Sequence, residues 1–221
     1  MVQIENYINH LTDILKKQFG ERIVYVGLQG SYLRGEATPQ SDIDIMVVLN
    51  ELGVEDLNLY RSIISSMEHS DKSCGFICSK SDLENWNPLE ICHLLHSTKD
   101  YYGTLRELVP VYTELDIRNF VKLSVNNLYH GICHMQIHSE EAENIAALPA
   151  MFKGVFFILQ NIYFLSEGKF IGTKAELETL LEGSNYEVLK RSIDMNNGAA
   201  YDYAESFELL FTWCQETLKN I

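Results

Sequence analysis

Chemistry is densest between Gly27 and Leu49, which reads GLQGSYLRGEATPQSDIDIMVVL. Gly30-Ser31 closes an apolar run, Ile23 to Leu28, and opens a turn. Such a turn offers backbone N–H groups and a hydroxyl, the donors that cradle phosphate. Eleven residues after Ser31, Asp42-Ile43-Asp44 leads into a second apolar run, Ile45 to Leu49. Residues two apart in a strand point to one face, so Asp42 and Asp44 aim together. Carboxylates aimed together repel unless a cation lies between them. Mg²⁺ suits that place, because it is usually held by one or two carboxylates plus substrate phosphates. The plainer alternative is a Gly-Ser hairpin before a polar strand start, but Asp disfavours strands and two of them at the head of a Val/Ile-rich run want a reason.

These residues need elements to hold them. Ile4, Ile8, Leu11 and Leu15 keep helical spacing, which predicts an amphipathic helix over 3–18 that Gly20 ends. Residues 22–28 and 42–49 read as strands, 54–67 as a helix and 73–79 (SCGFICS) as a short third strand. Ser81 with Glu84 predicts a capping box, and Pro88 starts a helix to about His96. Residues 99–113, with Gly103 and Pro110, read as irregular, and the domain boundary is placed there. Beyond it helices are expected over 115–138, through Pro149 to about Ser166, and over 173–182, 185–194 and 199–219. Pro149 is best tolerated in a first helical turn. The fold class is therefore α+β: a small α/β head with a short mixed sheet over 1–110, then an all-α helical bundle over 111–221.

Composition narrows the partners. The 221 residues are 46% hydrophobic, ample for packed cores, yet no apolar run is long enough to span a membrane. The N-terminal helix carries acids and lacks the basic-then-apolar layout of a signal peptide. Five cysteines without regular spacing do not suggest a disulfide framework, so a reducing cytoplasm is the expected setting. A net charge of −14 argues against nucleic acid as a partner and suits a small cationic acceptor, although simple solubility also explains it.

Gly30-Ser31 followed by Asp42-x-Asp44 resembles the signature of the polymerase-beta-like nucleotidyltransferase superfamily. The resemblance implies that Ser31 contacts a triphosphate and that Asp42 and Asp44 hold two Mg²⁺ ions. It implies transfer of a nucleoside monophosphate to a hydroxyl, with release of pyrophosphate. A second segment, Ile158 to Gly183 (ILQNIYFLSEGKFIGTKAELETLLEG), resembles the helical domain of the streptomycin/spectinomycin-type aminoglycoside adenylyltransferases. There Tyr163, Phe164, Gly168, Lys169 and Lys174 occupy the family's places, and Lys174 is implied to reach the ATP phosphates. A lysine near a helix N-terminus adds to partial positive charge already present. Gly30, Ser31, Arg34 and Lys174 are thus the expected nucleotide-binding residues, although Arg34 could equally pair with Glu36.

Two departures stand out. Asn161 occupies the place of a family Arg on the aromatic helix. Gly75 occupies the place of a family Glu that serves as base on the third strand, and no acid lies in SCGFICS. Among nearby acids, Glu68, Asp71, Asp82, Glu84 and Glu90, the preferred stand-in is Glu90. The expected activity moves AMP from ATP to a hydroxyl of a small molecule, an aminoglycoside or an unrelated metabolite. The alternative is a protein of the same fold that binds nucleotide and transfers nothing.

Other clusters carry less. His130, His134 and His138 share a helical stripe and read either as a metal site or as a polar face. Trp86 and Tyr101-Tyr102 could stack on a base or sugar, or wedge packed elements. Asn126-Asn127 reads as an acceptor contact or as ordinary helix polarity.

Overall fold

A computed structural model describes residues 2–221. The chain divides into two compact units, Met1–Tyr112 and Thr113–Ile221.

The first unit is a four-stranded mixed sheet with helices on both faces. Its order is α1 (Ile4–Phe19), β1 (Ile23–Leu28), α2 (Gly30–Arg34), β2 (Ile43–Leu49), α3 (Val54–Ser66), β3 (Ser73–Ser79), α4 (Lys80–Glu84), α5 (Pro88–His96) and β4 (Lys99–Tyr102). The strands run β3-β2-β1-β4 across the sheet, with β1 antiparallel to β2 and β4 and with β3 parallel to β2. Strand β4 corrects the irregular reading of 99–113. Lys99-Asp100-Tyr101-Tyr102 has little strand character of its own and is made a strand by pairing with Val26 to Leu28.

Alternation along the strands builds two cores. Ile43, Ile45 and Val47 pack with Ile8, Leu11 and Leu15 of α1 and Ile63 of α3. Met46 and Val48 face the other way, onto Tyr25, Cys78, Leu83, Leu94 and Leu95. The cap before α4 is Ser79, which bonds Asp82, rather than Ser81 with Glu84.

The second unit is α6 (Glu114–His138), α7 (Glu141–Phe152), α8 (Val155–Glu167), α9 (Lys174–Glu178), α10 (Gly183–Asn196) and α11 (Tyr203–Asn220). Thr113 and Asp116 cap α6 reciprocally. The stretch Glu141–Glu167 is long and apolar enough to cross a membrane by length and composition. It breaks between α7 and α8, and Leu148, Phe152, Val155, Phe156 and Leu159 form this unit's core with Trp213. Pro149 falls in the last turn of α7, not at a helix start. It cannot donate to the Ile145 carbonyl four residues back, and the Tyr201 hydroxyl donates to that carbonyl instead.

Candidate active site

Strand β1 ends at Leu28, and the chain turns at Gly30 with φ +69. A Cβ built on Gly30 would stand 1.9 Å from Asp44 Oδ2, so only glycine lets the turn lie against the carboxylate. One residue earlier, the Gln29 N–H donates to the Asp44 carbonyl at 2.9 Å. The turn and the acidic strand are therefore fastened together by backbone, not by long side chains. The Gln29 side chain does not cap the first N–H groups of α2, where Ser31 lies.

Asp42 is exposed just before β2, and Asp44 is half-buried within it. Burial pushes the Asp44 carboxyl above the usual range; a hydrogen bond from Cys74 and the charge of Arg34 oppose that shift, and the charge of Asp42 adds to it. The two carboxylates thus lie close enough to repel, as their spacing predicts. Arg34 Nε donates to Glu36 at 2.9 Å, so Arg34 acts on Asp44 as a charge while engaged with Glu36.

The neighbouring strand changes the question of the base. Asp44 pairs with Cys74 and Ile45 pairs with Gly75 in parallel register. Side-by-side residues share a face, so Cys74, not Gly75, stands beside Asp44. Gly75 contributes only backbone to the α1/α3 side. It has φ +118, and a Cβ there would meet the Ile45 carbonyl oxygen at 2.1 Å, so this backbone admits no side chain at 75. Cys74 is the residue that sequence reasoning missed, although its parity with Phe76 and Cys78 carried the signal.

Glu90 accepts from the Trp86 indole at 2.6 Å, and Trp86 stacks on Phe76 with centroids 5.8 Å apart. That gives Trp86 a packing role and engages the proposed base. His93, on the next turn of α5, is held low, to about 4, by burial and by the charges of Arg34 and His96, so it presents a neutral imidazole beside Arg34.

Within the second unit, Lys174 opens α9 behind the Thr173 cap, with Nζ 5.8 Å from the Phe156 ring centroid. Lys169 pairs with Glu176 at 3.0 Å. Asn161 is 1% exposed and donates to the Phe157 carbonyl of its own helix, an interior role that no arginine could take over unchanged. His130, His134 and His138 are exposed along α6, with neighbouring centroids 6.1 and 4.6 Å apart. Asn126 and Asn127 are also exposed.

Among the described residues no three His, Cys, Asp or Glu side chains converge as a ready metal cage, at the histidine stripe or at the Asp pair. Two carboxylates without a cage fit Mg²⁺, which completes its octahedron with water and substrate phosphates.

Residues 8–78 match the family model described as a nucleotidyltransferase domain. That segment of the first unit carries the nucleotidyltransferase signature. The matched segment ends at Cys78 and contains Gly30, Ser31, Asp42, Asp44 and Cys74. No curated protein matches the chain by sequence. Among solved structures it is similar to the spectinomycin adenyltransferase AAD(9) from Enterococcus faecialis, determined with ATP and spectinomycin. The TM-score is 0.62 at 18% identity, covering 98% of this chain and 99% of that one. The α/β head followed by a helical unit is thus a fold this chain shares with that adenyltransferase.

Proposed function

We propose that this nucleotidyltransferase uses Mg²⁺ to move AMP from ATP to a hydroxyl of a small cationic molecule of the aminoglycoside class. The observation that carries the proposal is the contact of Gly30 with Asp44, which sets phosphate donors against a carboxylate pair. In this reading the Ser31 hydroxyl and the α2 N–H groups bind the triphosphate oxygens. Asp42 and Asp44 would hold two Mg²⁺ ions. When bound, those ions neutralise charge on the phosphates and align the acceptor oxygen for in-line attack. Lys174 adds a cation for the phosphates. The net charge of −14 concentrates a cationic acceptor, and the similar enzyme was determined with spectinomycin.

The acceptor's proton needs a receiver, and β3 offers no carboxylate. Glu90 serves if its carboxylate exchanges the Trp86 indole for the acceptor hydroxyl. The second reading, nucleotide binding without transfer, is favoured by that same gap on β3. Pyrophosphate release from ATP and Mg²⁺ across an aminoglycoside panel, spectinomycin included, separates the two. Acceptor-dependent release that falls about 10³-fold in Asp42→Asn supports transfer. ATP binding with no release for any acceptor supports the second reading.

A further inference from the structure

On the sheet face opposite Asp44 lies a cavity of about 220 Å³ between α1, α3 and the β2–β3 pair. Its origin is local. Strand β2 presents Ile43 and Ile45 to it, while β3 contributes Ser73, Cys74 and Gly75, none of them large. Gly75 cannot carry a Cβ against the Ile45 carbonyl, so the space is fixed by backbone rather than left by a mobile side chain. The floor and walls are apolar, from Leu11, Ile43, Ile45, Leu57 and Ile64.

The polar lining has one sign. The chain has 31 acidic residues, yet no Asp or Glu lines this cavity, whereas Arg61 does. Arg22, Arg34, Arg118 and Arg191 each hold a carboxylate within 3.1 Å. Arg61, like Arg106, has no such partner among the described residues. Beside Arg61, Tyr60 also lines the cavity, and its hydroxyl can donate. A planar guanidinium at the mouth of an apolar pocket matches a carboxylate bidentately.

We propose that this cavity binds a small amphiphilic carboxylate, its apolar body on Ile43 and Ile45 and its carboxylate on Arg61. Ligand pockets for drug-sized molecules run from about 300 to 1,000 Å³, so the occupant is a single ring or a short acyl chain. The apolar floor lies on the face of β2 opposite Asp44: Ile43 and Ile45 line it, Asp44 does not, and Cys74 is the one lining residue that also touches Asp44.

The test is titration of the full chain, without nucleotide, with sodium benzoate, benzyl alcohol and inorganic phosphate, followed by amide shifts of β2, β3 and α3. Benzoate is expected to saturate and to bind about tenfold tighter than either control. Arg61→Gln, an exposed position, should weaken benzoate about tenfold and leave benzyl alcohol unchanged. Leu57→Trp, which narrows the mouth, should abolish both. Equal binding of benzoate and benzyl alcohol, unchanged affinity in Arg61→Gln, tighter binding of phosphate, or no saturation by benzoate would overturn the proposal. Circular dichroism on both variants confirms that each is folded.

Discussion

The two units place their candidate phosphate-binding groups by different means. In the first, Gly30, Gln29 and Asp44 are locked together through main-chain geometry, with a carbonyl bond at 2.9 Å and no room for a Cβ. In the second, Lys174 reaches out from a capped five-residue helix and rests against the Phe156 ring. The first arrangement costs stability when altered, because backbone and carboxylate must move. The second is a side chain at a helix start, and its loss leaves the Thr173 cap of that helix in place. A residue's contribution to folding and its contribution to function should therefore separate in the second unit and coincide in the first.

The largest effect expected from that contrast is at Gly30. Gly30→Ala meets both a left-handed φ and the Asp44 carboxylate, and should destabilise by about 2–3 kcal/mol while also reducing metal-dependent ATP binding. Chemical denaturation read beside nucleotide titration checks both. Unchanged stability would show that the turn is not pinned to Asp44.

The strand beside Asp44 allows a sharper test. Cys74→Glu puts a carboxylate on the face of the Asp pair. It should raise acceptor-dependent turnover about tenfold, and it should lower the melting temperature of the metal-free protein through like-charge repulsion. Gly75→Glu should not raise turnover: it clashes with the Ile45 backbone and chiefly unfolds the head. A gain from Gly75→Glu and none from Cys74→Glu would reverse the assignment of faces.

Smaller still is the expected effect at Lys174. Lys174→Gln should weaken ATP binding about tenfold, with a loss of stability below about 2 kcal/mol, the scale of a cation–π contact to a buried ring. A melting temperature that falls while ATP affinity stays constant would make Lys174 a structural residue and end the contrast between the units.

Much of this arrangement was legible in the sequence because it is local. The period-two pattern and the turn residues mark β2, the Gly-Ser turn and β3 over 73–79, and Pro88 marks the start of α5. What was not legible is set by partners far along the chain. Strand β4 exists through pairing with β1, which its charged four-residue sequence does not announce. The face presented by Gly75 depends on the β2–β3 register, and one residue of register exchanges Gly75 for Cys74 beside Asp44. The burial of Asn161, and the service of Tyr201 to the carbonyl freed by Pro149, are likewise tertiary facts.

The central claim is that Gly30, Ser31 and the Asp pair form a working metal–triphosphate site. Calorimetric titration of ATP, with and without Mg²⁺, on the wild type and Asp44→Asn tests it most directly. Binding that requires both Mg²⁺ and Asp44, and that weakens in mild acid as the raised Asp44 carboxyl takes up a proton, is the predicted result. ATP affinity that is the same with and without Mg²⁺, or the same in Asp44→Asn as in the wild type, would contradict it.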